Sequence, residues 1–105
     1  YRPPYGEYND TVIKVANENG YIPIQWSLDT LDYTKITGEQ MWERLKNKIT
    51  AGDIILMHNG TEHTADSLDM IIKNIKNSGF EVARVSDIIY TENYTIDTNG
   101  TQRRK

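Results

Sequence analysis

Two short stretches of this chain end in side chains that can exchange protons. In Asp53-Ile54-Ile55-Leu56-Met57-His58-Asn59-Gly60, four apolar residues lead to a histidine just before a turn dipeptide. In Trp26-Ser27-Leu28-Asp29-Thr30-Leu31-Asp32-Tyr33, a leucine leads to two aspartates. A carboxylate beside an imidazole favours the protonated ring, which can then donate to a leaving group. Arg2 could hold a further carboxylate in its ionised form. Each residue also has a plain structural reading. His58 could cap its strand, Arg2 could be a surface cation, and Tyr5 could pack on Pro3 and Pro4. Asp29 reads best as a turn former, because Asp readily bonds nearby backbone amides. Tyr33 either lines a binding groove or shields its loop. Trp26 and Trp42 fit packing positions, and His63 sits in a polar loop where solvent exposure is expected.

Positioning such groups requires strands that deliver them to one face. A short apolar run bounded by turn residues suits a buried strand, and Asp53–Met57 fits. Ile22, Ile24, Trp26 and Leu28 alternate as in a strand over Tyr21–Leu28, with Pro23 near its start or on an unpaired side. Phe80–Val85 reads as a last short strand. Between them, Asn9 or Asp10 caps a helix that runs through Asn19 and stops at Gly20, with Val12, Ile13 and Ala16 on one face. Thr37-Gly38-Glu39-Gln40 forms a capping-box pattern opening a helix with Met41, Trp42, Leu45 and Ile49 inward, ended by Gly52. A third helix, about Ala65–Ser78, carries Leu68, Ile71, Ile72 and Ile75 at helical spacing, and Ser86 opens a final turn through Ile89. Strands recur about every 30 residues, the size of a βαβ unit. In that layout the three loops carrying Arg2 and Tyr5, Asp29 and Asp32, and His58 emerge on one face. Residues 91–105 are polar apart from Tyr94 and are expected to fray or to belong to a linker.

The chain's 105 residues suffice for one modest domain. A formal net charge of -3 with 26% charged residues gives no footprint for nucleic acid. No apolar run could span a bilayer, and no signal peptide is evident. The absence of cysteine excludes disulfides and thiolate chemistry. The chain starts at Tyr1 without an initiator Met and reads as an excised piece. Asn-x-Thr triplets begin at Asn9, Asn59, Asn93 and Asn99, a pattern common by chance.

Arg2-Pro3-Pro4-Tyr5, the Trp26–Tyr33 stretch and Leu56-Met57-His58 resemble, in order and spacing, the last three motifs (RxxPY, DxxDW, LxH) of the NodB-homology polysaccharide deacetylases, carbohydrate esterase family 4. The resemblance covers residues 1–90 and implies an α/β fold, the carboxyl-terminal half of an incomplete (β/α)7 barrel, with residues 91–105 as a polar tail. It implies a metal-dependent polysaccharide N-deacetylase acting on N-acetylglucosamine-type polymers, with peptidoglycan the expected substrate, in an extracytoplasmic setting. By motif, His58 would be the general acid, Asp32 would tune it, and Arg2 would orient a catalytic-base aspartate. The Tyr5 amide would stabilise the oxyanion, and Leu56 would shape the acetate-methyl pocket, with Tyr33 in the groove wall.

Two departures accompany the resemblance. Tyr33 stands where the family usually has Trp. The motifs bearing the base aspartate and the Asp-His-His ligands of a divalent metal, zinc or cobalt, are absent. The metal site is therefore expected in a missing amino-terminal half, carried by a second chain. An acetylxylan esterase and a non-catalytic carbohydrate-binding relative are the alternatives.

Overall fold

The computed structural model describes residues 1–105. Its helices form where the sequence supplies caps and apolar faces. Helix α1 spans Asp10–Glu18, and the Asn9 side chain accepts from the Val12 amide at 2.9 Å. Helix α2 spans Gly38–Leu45 with the full capping box: Thr37 accepts from the Gln40 amide, and the Gln40 side chain accepts from the Thr37 amide. Helix α3 spans Thr64–Asn77, and α4 is a single turn over Val85–Ile88.

Strand β1 (Leu28–Asp29) pairs in parallel with β2 (Ile55–Leu56), Leu28 opposite Ile55 and Asp29 opposite Leu56. Because strand side chains alternate, one face of this pair differs from the other. Leu28, Ile55 and Met57 pack against the buried cluster of Met41, Leu45, Ile71 and Ile75, supplied by α2 and α3. Burying a side chain of this size contributes roughly 1.5–3 kcal/mol, so this cluster is what holds the two helices on the sheet.

The chain start adds a third, incipient strand. The Tyr1 amino group donates to the Ile22 carbonyl at 2.9 Å, and the Ile24 amide donates to the Tyr1 carbonyl at 2.7 Å. One residue bracketed between i and i+2 of its neighbour is the parallel-ladder pattern. Pro23 lies between these two, so its missing N–H falls on the other side, where pairing to the β2 chain begins only at Ser27.

Several expected elements differ. The strand expected over Tyr21–Leu28 is paired as a ladder only from Leu28, because its neighbour's bonds begin at Ile54. Phe80–Val85 forms no ladder at all: an extended segment becomes a strand only with a partner, and Val82 is exposed. Leu68 turns outward at 41% exposure while Ile71 and Ile75, farther along α3, are buried. The tail contains regular structure. Strands β3 (Tyr94–Ile96) and β4 (Gln102–Arg104) form an antiparallel hairpin. Its turn is made by Asp97, whose carboxylate accepts from the Asn99 and Thr101 amides, and by Gly100 at φ 82°. Tyr90 and Gln102 exchange two hydrogen bonds at the hairpin base, and the Arg104 guanidinium lies 4.1 Å over the Tyr90 ring.

The α2–α3 seam depends on Gly38. A Cβ there would lie 2.6 Å from the Ser67 Cβ on α3, an atom fixed by the helix backbone. Gly38→Ala should therefore destabilise by about 1–3 kcal/mol, against at most ~1 kcal/mol gained in helix propensity. Thermal unfolding of the variant should show a lowered midpoint; an unchanged or raised one would mean the seam yields freely.

Candidate active site

The site is built from the carboxyl ends of β1 and β2. After β1 the chain makes a tight reversal. Leu31 adopts a left-handed conformation at φ 56°, which costs a non-glycine residue roughly 1–2 kcal/mol. The Asp29 carboxylate holds it there by accepting from the Leu31 amide at 2.8 Å, the turn-forming role expected for Asp29. A single 3-10 turn over Asp32–Thr34 follows, and Asp32 is delivered into the interior with 0% exposure. Thr30, equally buried, donates both its amide and its hydroxyl to the Leu56 carbonyl, at 3.3 and 2.9 Å, which locks the two strand ends together.

Three donors converge on the Asp32 carboxylate. Oδ2 accepts from the His58 amide at 2.5 Å and from the Thr64 hydroxyl at 2.7 Å, and Oδ1 lies 2.8 Å from His58 Nδ1. Burial alone would push the acid up, but the His58 amide, the His58 ring and the Thr64 hydroxyl outweigh it, and the carboxyl is held below its ordinary value. Asp32 is therefore ionised at neutral pH and can only accept. It follows that His58 Nδ1 carries a hydrogen, which leaves Nε2 as the nitrogen that gains or gives a proton. The His58 side chain is 43% exposed, so that chemistry faces outward. The Tyr33 ring stands edge-on to the imidazole, centroids 5.7 Å apart at 83°.

The structure thus brings Asp32, His58 and Tyr33 together, with Leu56 two residues before His58. Leu56 is only 5% exposed, whereas Ile54 and Ile55 beside it are half-buried. Arg2 and Tyr5 belong to the amino-terminal segment. Gln25 Nε2 donates to the Gly6 carbonyl at 2.6 Å and ties that segment to the β1 approach. The Arg2 guanidinium lies 6.0 Å from the Trp26 ring centroid, and Tyr5, at φ 57°, is 95% exposed rather than packed on the prolines. No hydrogen bond or ion pair links Arg2 or Tyr5 to Asp32 or His58. His63 comes only within 3.9 Å of Glu62. Thr64 and Thr30 escaped the sequence reading. The available signal for Thr64 was a hydroxyl opening a helix just after the loop that carries His58.

No group of three or more His, Cys, Asp or Glu side chains converges to hold a metal ion. The residues of this chain do not by themselves fit the divalent metal that the resemblance implies.

No family model matches the chain. It is 34% identical over 89 residues to the uncharacterised Bacillus subtilis protein YlxY, covering 85% of this chain and 28% of that protein. It is 37% identical over 95 residues to a Listeria monocytogenes peptidoglycan-N-acetylglucosamine deacetylase, covering 90% of this chain and 20% of the enzyme. Among solved structures, it superposes on a carbohydrate esterase family 4 pseudoenzyme from Bacillus anthracis with a TM-score of 0.77 at 32% identity, covering 83% of this chain and 31% of that one. A mutant of that pseudoenzyme is described as having restored enzymatic activity. The fold is that of part of a NodB-homology protein. The chain belongs to carbohydrate esterase family 4 as a partial NodB fold, spanning less than a third of each of these three relatives.

The depressed pKa of the Asp32 carboxyl makes stability depend on pH. A depressed carboxyl contributes stability that is present above its unfolded value, near about pH 4, and that is lost as pH falls through the folded value. In denaturant titrations, the stability gap between the parent protein and Asp32→Asn should be widest at pH 5 and above, and should narrow on acidification below about pH 4. A gap independent of pH would show that Asp32 is not held ionised.

Proposed function

We propose that this chain supplies the proton-donating side of a polysaccharide N-deacetylase site, acting on N-acetylglucosamine-type polymers such as peptidoglycan outside the cytoplasm. The observation that carries the reading is the ionised, fully buried Asp32 beneath the exposed His58 ring. Burying a carboxylate is costly, and a surface that merely binds sugar gains nothing from it. The similarity to a peptidoglycan deacetylase supports the substrate class.

Hydrolysis of an N-acetyl group adds water across the amide carbonyl and then breaks the C–N bond. The departing nitrogen takes the electron pair of that bond and needs a proton. Protonated His58 gives it from Nε2, while Nδ1–H stays hydrogen-bonded to Asp32, which holds the ring's orientation. The water's proton goes to a base outside this chain, and Arg2 would orient that base. The Tyr5 amide would face the developing oxyanion. Leu56, nearly covered, suits the floor of a methyl pocket, and Tyr33 suits the wall of a sugar groove. The divalent metal implied by the family would be held by residues beyond this chain. Residues 1–90 would form this part of the catalytic domain, as half of a (β/α)7 barrel, with the hairpin region 91–105 outside it. The parallel bracket at Tyr1 supports a preceding strand, which a second segment or chain would supply. No helix here is long and apolar enough to cross a membrane.

A second reading is kept because a pseudoenzyme is among the structural relatives: the chain could retain the groove in a non-catalytic protein. His58→Ala in the intact protein separates the two. We expect turnover of N-acetylglucosamine oligomers to fall by roughly 100-fold or more with little change in KM. Near-normal turnover would remove His58 from the mechanism, and no turnover in the parent protein would favour the binding relative.

A further inference from the structure

We propose that Thr64 is a positioning residue for the proton chemistry of His58: its hydroxyl fixes the Asp32 carboxylate, and Thr61 fixes the direction of that hydroxyl. The inference rests on His58 being the proton donor, and it adds to that reading a residue outside the three motifs.

The donors to Asp32 come from two different supports. Two of the three belong to His58 itself, its amide and its ring. Both ride on the loop after β2, so they cannot hold the carboxylate in place independently of the ring they are meant to orient. Thr64 is the third donor, and it stands on a different support. It is the first residue of α3, 8% exposed, and α3 is anchored in the core by Ile71 and Ile75. A carboxylate can swing about its Cβ–Cγ bond. A donor from a rigid helix fixes that torsion and so fixes where Oδ1 meets Nδ1.

The hydroxyls can also be given a direction. An ionised carboxylate cannot donate, so the single Thr64 hydrogen goes to Asp32. In the close Thr61–Thr64 hydroxyl pair, Thr61 must then be the donor. Its alternative acceptor, the His58 carbonyl, lies at 3.4 Å, long for an O–H donor. The result is a one-way chain, Thr61 to Thr64 to Asp32, meeting His58 from the other side. Each of the two hydroxyls has one hydrogen to give and its nearer acceptor in place, so the carboxylate has no second arrangement of equal quality.

Misplacing a reacting group by a fraction of an ångström is costly, and outer partners of site residues typically matter by ~10-fold or more. The test compares Thr64→Val, nearly isosteric but without the hydroxyl, with Thr64→Ser, which keeps it. Both are made in the intact protein and assayed on N-acetylglucosamine oligomers, with the Asp32 carboxyl followed by 13C NMR titration. Thr64→Val should lower kcat about 10-fold with KM within about twofold, and should move the Asp32 titration upward. Thr64→Ser should recover most of both. Parent-like turnover in Thr64→Val, or failure of Thr64→Ser to recover it, overturns the proposal. Normal turnover in His58→Ala would instead overturn the acid reading. In that event the Asp32 titration decides alone: an unmoved value in Thr64→Val shows that Thr64 does not hold the carboxylate.

Discussion

A buried negative charge organises this chain. Asp32 has no exposed surface, and an unpaired carboxylate in that position would be severely destabilising. It persists because three donors reach it from two separate elements, the loop after β2 and the first turn of α3. Those donors also decide its chemistry. With the acid held ionised, the imidazole has one nitrogen committed inward and one free outward, which is the condition for directional proton transfer.

Much of the fold can be read as what is needed to bring these groups together. Parallel pairing of β1 and β2 places Asp29 opposite Leu56, so the loops that follow leave from the same end. Thr30 then bonds the Leu56 carbonyl twice, and the left-handed Leu31, held by Asp29, reverses the chain so that Asp32 points back under His58. On the other face, α2 and α3 are pinned by Met41, Leu45, Ile71 and Ile75, with Gly38 allowing the close approach. The helix that fills the core is therefore the one whose amino end carries Thr64. Core packing and site geometry are coupled through α3.

The sequence was informative where local chemistry decides structure. The Thr37–Gln40 capping box and the turn role of Asp29 follow from residue type and spacing, which also narrow the first cap to Asn9 or Asp10, while the pairing of Asp32 with His58 was implied by the motif resemblance. It misled where structure depends on a neighbour. Tyr21–Leu28 and Phe80–Val85 have the residue pattern of strands, but a ladder needs a second chain segment beside it, which periodicity cannot report. The hairpin over Tyr94–Arg104 was missed because polar composition hid the Asp97–Gly100 turn. Thr64 was missed for a related reason. A threonine opening a helix looks like an ordinary helix-start residue until its acceptor, 32 positions away in sequence, is brought alongside.

The central claim is that Asp32 is an ionised acceptor and therefore dictates the protonation pattern of His58. Long-range 1H–15N correlation spectra of the imidazole, recorded on the protein containing this chain at a pH where the ring is neutral, measure that pattern directly. The account predicts the Nδ1–H tautomer for His58, with Nε2 unprotonated, and loss of that preference in Asp32→Ala. A ring protonated at Nε2 with a bare Nδ1 would contradict it, because an ionised Asp32 has no hydrogen to offer that nitrogen.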